Sequence, residues 1–184
     1  MKQSELTHQL LAEHQAATAK AQDLLADLSA AQLAWSPPSG GWGIAQVLEH
    51  LVVAADSYLD VMRPAITKAP KTSSAAESEW RGKLGGRLLV WSLRNPRKLP
   101  APKVYQVGPV ARANVFAEFL SRQSAVGDLF QATREVEWRR VTLLSPVSSL
   151  LRLNLGDAFG ILVSHTTRHL GQMERIRGRV GFPS

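Results

Sequence analysis

Four long stretches of the chain repeat apolar residues at intervals of three and four, which places those residues on one face of an α-helix. They predict principal helices over residues 4–30, 43–66, 112–133 and 156–178. No convincing run of alternating apolar and polar residues indicates a β-strand. Two prolines and two glycines between residues 34 and 41 end the first helix, because neither residue type sustains a helix. The expected fold class is therefore all-α, a helix bundle with its functional site between facing helices.

Length and composition predict one globular domain spanning residues 1–184. Hydrophobic residues make up 45% and charged residues 20%, which excludes a wholly disordered or collagen-like protein. The chain has no cysteine, which excludes disulfide scaffolds, zinc fingers, iron–sulfur clusters and thiol nucleophiles. No apolar run approaches the roughly 20 residues of a membrane span, and the polar N-terminus lacks the apolar stretch of a signal peptide. We therefore expect a cytoplasmic protein with no membrane span.

Residues 67–111 form an irregular, basic insertion between the second and third principal helices. Eight basic residues and no acidic one lie from Arg81 to Arg112, whereas the net charge of the whole chain is +7. A basic segment can bind nucleic acid or an anionic membrane surface, and the simpler alternative is a solvated connection. No part of this segment resembles a nucleic-acid-binding motif, so we do not expect nucleic acid as the partner.

Two histidines lie in the middle of the apolar face of the predicted last helix. His165 and His169 are one turn apart and share that face with Ile161 and Ile176. Burying imidazole rings among aliphatic side chains is costly unless both rings have polar partners. Residues four apart lie about 5–6 Å apart at Cβ, so both rings can reach one metal ion, as in helical H-x-x-x-H sites. The alternative is a pair of core histidines held by hydrogen bonds to other side chains.

His50 is the third candidate metal ligand. On the second predicted helix it lies at the flank of the apolar stripe, beside Val47 and Ala54. A flank position suits a ligand at the mouth of a cleft, and the alternative is an ordinary surface histidine. His8 and His14 are six residues apart and fall on different faces of the first helix, so neither is assigned to the site.

Two motifs bear on the family of the chain. The segment from Trp35 to Leu51 holds a tryptophan, a proline- and glycine-rich turn, a second tryptophan and then His50. The last helix holds an H-x-x-x-H-x-x-Q run from His165 to Gln172. The order of the two motifs and their approximate separation resemble those of the DinB-like family, and the resemblance extends over essentially the whole chain.

The resemblance implies an antiparallel four-helix bundle with one long crossover connection. It also implies a divalent metal ion, commonly zinc or nickel, held by His50, His165 and His169. Members of this superfamily include thiol-dependent transferases and isomerases, and many form dimers, so a homodimer is expected. Thr166 stands where many relatives have an acidic residue, which argues against a mechanism that needs a carboxylate base at that position.

Three neutral imidazoles leave a divalent ion with at least one open coordination position, the arrangement of catalytic zinc sites. Such an ion lowers the pKa of bound water or of a bound thiol and so generates a nucleophile near neutral pH. Because the chain has no cysteine, the thiol would have to be a low-molecular-weight cosubstrate. Gln172 lies one turn beyond His169 on the same face, where it either orients the ligand or bonds to a neighbouring helix.

These observations predict a metal-dependent transferase or hydrolase that acts on a small-molecule substrate. One alternative is a non-catalytic metal-binding protein with a stress or regulatory role. A second alternative is a binder of nucleic acid or of membrane surfaces that uses residues 81–112. We expect no carboxylate among the metal ligands, because the acidic residues of the second and last helices lie off the histidine-bearing positions.

Residues 80–93 predict a short extra helix within the insertion. The segment has two tryptophans and several leucines between basic residues, and Gly85-Gly86 is expected to weaken it. Four principal helices already provide a core, so this apolar surface needs another partner. We expect it to cover the metal cleft, with a dimer contact as the second alternative and a membrane surface as the third.

Overall fold

A computed structural model describes residues 1–95 and 102–184 of the chain. Six α-helices, two short 3₁₀-helices (Ala75–Glu77 and Lys103–Tyr105) and one β-hairpin form within these ranges. The helices and strands are α1 (Gln3–Leu25), α2 (Ala30–Ala34), α3 (Ile44–Lys68), α4 (Leu84–Arg94), α5 (Val115–Ala132), β1 (Thr142–Ser145), β2 (Ser148–Asn154) and α6 (Leu155–Arg177). None of the helices in these ranges is both long enough and apolar enough to cross a bilayer.

The four long helices α1, α3, α5 and α6 form the predicted four-helix bundle, with α1 and α3 on one diagonal. Helices α3 and α5 run parallel, since Glu49 pairs with Arg112 at 2.7 Å and Asp56 pairs with Arg122 at 2.8 Å. Helices α1 and α6 form the other parallel pair. Near the C-terminal ends of both helices, Nζ of Lys20 lies 2.8 Å from Oε1 of Glu174. The prediction of an antiparallel bundle is therefore correct for only some of the neighbouring helices. The long crossover brings the chain back to the end of the bundle where α3 begins, so α5 runs in the same direction as α3.

The hydrophobic core consists of two clusters, one toward each end of the bundle. The first contains a stack of three aromatic rings, in which Phe159 lies 4.1 Å from Phe130 and 4.8 Å from Trp138 between ring centroids. The second joins the start of α3 to the end of α6 through aliphatic side chains such as Ile44 and Met173. The boundary between the clusters crosses α3 near residue 52 and α6 between residues 163 and 170, which is the level of the predicted metal site.

The all-α prediction is wrong over residues 142–154, which form an antiparallel hairpin. Thr142 pairs with Asn154 and Leu143 with Leu153, and both leucines are buried. The leucine-rich sequence of β2 lacks the strict alternation that predicts a strand, because its exposed half includes Leu150. Chain pairing across the turn, rather than local periodicity, determines this hairpin.

Two helix boundaries also differ from those that the sequence predicts. The first helix ends at Leu25 instead of residue 30, and α2 begins separately after it. Ser29 caps α2, since its Oγ accepts a hydrogen bond from the backbone N–H of Gln32 at 3.2 Å. A serine in that position satisfies an N–H that has no partner within the helix, and so it favours a new helix start.

The insertion contains the predicted short helix, α4, which lies along the outer side of α6. Its glycines bring the two backbones together, because a Cβ on Gly86 would overlap the side chain of Asp157. A Cβ on Gly156 would likewise overlap the indole ring of Trp80. Gly86, one of the two glycines expected to weaken this helix, therefore provides a close contact that holds it against α6, and Gly85 is similarly close to Leu151 of β2.

Candidate metal centre

The structure brings together the three histidines that the sequence predicts as metal ligands. His50 projects from α3, and His165 and His169 project from successive turns of α6. The Nε2 atom of His165 lies 3.0 Å from Nε2 of His50 and 3.1 Å from Nε2 of His169. One ring nitrogen from each of the three side chains lies within 4.8 Å of the others. Within the described ranges, this cluster consists of three histidines and includes no aspartate or glutamate.

Hydrogen bonds on the far side of two rings determine which nitrogens face the cluster. Nδ1 of His50 lies 2.8 Å from the backbone oxygen of Tyr105, and Nδ1 of His169 lies 2.8 Å from Oε1 of Gln172. Both oxygens only accept, so each Nδ1 is the protonated nitrogen and donates. The Nε2 atoms of His50 and His169 therefore each present a lone pair toward His165. Gln172 thus contacts His169 of its own helix, and its predicted role in orienting a metal ligand stays a prediction.

The cluster fits a divalent ion better than it fits a hydrogen-bonded core. A neutral His165 has at most one N–H at Nε2, so it can donate to one of the two facing lone pairs and not to both. A single cation satisfies all three nitrogens at once. Tetrahedral zinc bound at about 2.0–2.1 Å separates its ligand nitrogens by about 3.3 Å, close to the 3.0 and 3.1 Å between Nε2 of His165 and the other two Nε2 atoms.

The electrostatics of the site favour neutral imidazoles. Burial lowers the pKa of His50, and it lowers the pKa of His169 to about 3 with help from nearby positive charge. Burial also holds the pKa of His165 well below its usual range, together with the other two imidazoles and Arg168. All three rings therefore remain unprotonated at neutral pH, which is the form that binds a metal ion.

His50 lies deeper than its flank position on the helix suggests. Only 2% of its surface is exposed, and its ring centroid is 4.9 Å from that of Trp42 and 6.0 Å from that of Tyr105. The residues around Tyr105 belong to the long crossover, which returns over α3 and covers this flank. The predicted position of His50, at the mouth of a cleft or on the surface, is therefore wrong. The segment that buries its side chain is far away in the sequence, so the pattern of α3 does not reveal it.

His14 is a buried polar residue that lies outside the predicted site. Its Nε2 lies 3.0 Å from the backbone oxygen of Gln123, and the ring lines a small cavity at the centre of the bundle together with His165 and Thr166. His14 follows Leu10 by four residues and precedes Ala17 by three, so the apolar periodicity of α1 already places it on the buried face. That spacing was the signal that could have identified it.

Helix α4 does not cover the metal cleft, contrary to the first expectation for residues 80–93. It packs mainly against α6 and β2, with an ion pair from Arg94 to Glu13 of α1, and its side chains line a separate cavity whose walls include none of the three clustered histidines. Among the described residues of the insertion, Tyr105 contacts the cluster through its backbone oxygen, which lies 2.8 Å from Nδ1 of His50. The predicted dimer contact of this segment stays a prediction.

Comparison with known proteins identifies the family. Residues 13–173 match the sequence profile of the DinB superfamily. The chain belongs to the DinB superfamily. No curated protein matches it.

Among solved structures, this superfamily member is similar to YfiT from Bacillus subtilis, which is described as a probable metal-dependent hydrolase with an unusual four-helix bundle topology. The TM-score is 0.60 at 15% sequence identity, and the match covers 95% of this chain and 87% of that one. At this identity the similarity establishes a shared fold. It agrees with the four-helix bundle described above, in which neighbouring helices run in both relative directions.

Proposed function

We propose that this DinB superfamily protein binds one divalent metal ion through His50, His165 and His169 and uses it to act on a small molecule. The observation that supports this most strongly is the direction of the lone pairs. Two Nε2 atoms whose rings are fixed by Tyr105 and Gln172 face a third Nε2 at 3.0 and 3.1 Å. Zinc and nickel are the ions proposed, since imidazole nitrogen suits both.

The proposed reaction class is hydrolysis, with transfer to a low-molecular-weight thiol as the second candidate. A divalent ion with three imidazole ligands supplies Lewis acidity and a lowered pKa for water or for a thiol. The description of YfiT as a probable metal-dependent hydrolase supports water over the thiol. The thiol candidate requires a cosubstrate, because the chain has no cysteine.

The protein's own residues orient the ligands and exclude water around one of them. The carbonyl of Tyr105 and the amide oxygen of Gln172 each hold a proton on Nδ1, so that the opposite nitrogen remains free to bind. Trp42 and Tyr105 pack around the ring of His50 and keep bulk water from that side of the cluster. A drier environment strengthens the interaction between the ligands and a bound cation.

The nucleic-acid alternative has less support than the sequence suggested. Among the described residues of the basic segment from Arg81 to Arg112, Arg94 pairs with Glu13 and Arg112 pairs with Glu49, each at 2.7 Å. Their charges are therefore partly neutralised within the fold.

Metal content provides the first test. Protein purified without chelators should contain close to one equivalent of a divalent ion, and His50→Ala, His165→Ala and His169→Ala should each lose it under chelator competition. His8→Ala is the matched control, because His8 is exposed and outside the cluster. Full retention of the ion by every single variant would disprove the ligand assignment. The metal-loaded protein is then compared with the His165→Ala variant on a panel of esters and amides, and on a panel of electrophiles with added thiol.

A further inference from the structure

A second cavity lies outside the bundle, between α1, α4 and the first turns of α6. Its volume is about 500 Å³, which is within the usual range of small-molecule sites. The walls are mainly apolar, with Leu10 from α1, Trp80 from the insertion, and Leu84, Leu88 and Trp91 from α4. The cavity is separate from the clustered histidines.

The apolar wall on α4 has a large exposed surface. Leu84, Leu88 and Trp91 lie on successive turns of one helix face, and they are 71%, 57% and 53% exposed. The opposite side of this helix is held tightly against Asp157 through Gly86. A set of large apolar side chains that folding leaves exposed beside a concave surface is typical of a binding site.

The inner wall of the cavity is already fixed in position. The indole N–H of Trp80 donates to Oδ1 of Asn154 at 3.2 Å, and its ring lies directly over Gly156. Asn154 in turn caps α6 through Asp157, with its Oδ1 accepting from the backbone N–H at 2.9 Å. A wall held by hydrogen bonds and helix capping loses little freedom when a ligand binds.

Arg87 gives the cavity a positive charge, which acts electrostatically on the carboxyl group of Asp157 and partly offsets the rise in the pKa of Asp157 that burial causes. Its guanidinium makes no hydrogen bond or ion pair with any of the residues that the structure describes. The carboxylate of Asp157 is committed to the backbone N–H groups of Lys83 and Asn154, at 3.1 and 3.0 Å. Arg94, the second arginine of the cavity, already pairs with Glu13 at 2.7 Å.

We propose that this cavity binds a small amphipathic carboxylate, with its apolar body against Leu10, Leu88 and Trp91 and its carboxylate on Arg87. Arginine suits this role because its planar fork donates two parallel hydrogen bonds to one carboxylate. A concave apolar site with an arginine that makes no hydrogen bond to the described residues favours an anion with an apolar tail over a neutral molecule of the same length. The site is independent of the proposed metal chemistry.

Matched probes test the charge. Decanoate should bind the full-length protein saturably at one equivalent, measured by calorimetry, and 1-decanol should bind about tenfold more weakly. Arg87→Gln should lower the affinity for decanoate to that for decanol and leave decanol unchanged. Arg139→Gln is the control, since Arg139 is exposed and outside the cavity. Equal binding of both probes, or an Arg87→Gln variant with unchanged affinity, would overturn the proposal.

A second variant tests the apolar wall and the competing occupant. Leu88→Gln should weaken both probes, whereas Leu150→Gln, at a leucine that is 93% exposed elsewhere, should weaken neither. Sedimentation of the ligand-free protein is measured in parallel. Self-association that Leu88→Gln abolishes would assign this face to a second copy of the chain and overturn the proposal, as would the absence of saturable decanoate binding. Metal content of the Arg87→Gln variant should equal that of the wild type, so failure here is distinct from failure at the histidine cluster.

Discussion

Oε1 of Gln172 lies 2.8 Å from Nδ1 of His169, three residues earlier on the same helix. This contact fixes the proton on Nδ1 and directs the Nε2 lone pair of His169 toward His165, 3.1 Å away. The spacing of the H-x-x-x-H-x-x-Q run therefore has a physical meaning at every specified position. Its two histidines face one another, and the glutamine orients the second.

Replacing Gln172 should weaken metal binding without disturbing the fold. Gln172→Leu removes the acceptor at Nδ1, and we expect the affinity for zinc to fall roughly 10–100-fold. Gln172→Glu keeps an acceptor and should retain the affinity of the wild type or exceed it. Competition with a chromogenic chelator measures both, with Gln131→Leu as the control because Gln131 is exposed at the far end of α5. Equal affinities for all three variants would contradict the role assigned to Gln172.

The parts of the site that the sequence predicts are those that depend on one helix alone. His165, His169 and Gln172 share one helix, so a 3.6-residue period places them correctly relative to one another. The burial of His50 depends instead on Tyr105, which is 55 residues away and lies in a segment with no periodicity. Helical geometry predicts the side of α3 on which His50 lies, but it does not predict which distant segment packs against that side.

The same limit explains the errors in the fold. The four long helices follow from their apolar periodicity, whereas the hairpin depends on pairing Leu143 with Leu153 across a turn. The parallel arrangement of α3 and α5 depends on how far the crossover travels. Ion pairs such as that between Arg122 and Asp56 stabilise the parallel arrangement. They join residues far apart in the sequence, so no local sequence pattern predicts them.

Metal-free protein should lose stability as the pH falls below neutral. Burial lowers the pKa values of His14, His50 and His169 below the ordinary value of 6.5, and the value for His169 is about 3. The unfolded chain therefore binds more protons than the folded protein below about pH 6.5. The contribution of these histidines to the free energy of unfolding is fully present above that pH. Below it, the free energy of unfolding decreases by about 1.4 kcal/mol per pH unit for each histidine that stays neutral in the folded protein, until the pH reaches its folded-state pKa.

Urea unfolding with excess chelator between pH 7.5 and 5 measures this dependence. His169→Asn should reduce the dependence of the unfolding free energy on pH by the equivalent of up to one bound proton, and His8→Ala should leave that dependence unchanged. A free energy of unfolding that is constant or rises toward pH 5 would contradict the neutral, buried state of these rings.

The hydrogen bond of His14 should contribute to stability and not to metal binding. His14→Leu removes one hydrogen bond from the backbone oxygen of Gln123, which lies in the middle of α5 and still accepts an N–H of its own helix, so the loss should cost about 0.5–1.5 kcal/mol. His14→Gln offers a replacement donor and should recover part of that loss. Thermal unfolding measures the cost and chelator competition measures the metal. If His14→Leu lost its metal while His14→Gln retained it, the ring would have a role in the metal site.

The close contact between α4 and α6 should make Gly86 intolerant of any side chain. A Cβ at this position would overlap the buried carboxylate of Asp157, which can move only by giving up its bonds to the N–H groups of Lys83 and Asn154. We expect Gly86→Ala to lower the free energy of unfolding by about 1–3 kcal/mol, although alanine normally favours a helix. Gly108→Ala is the control, because a Cβ there meets no atom within 4 Å. Metal content of Gly86→Ala should stay at the wild-type level, since α4 and the histidine cluster contact different faces of α6. Stabilisation by Gly86→Ala, as helix propensity alone predicts, would show that α4 is not held against α6 by this contact.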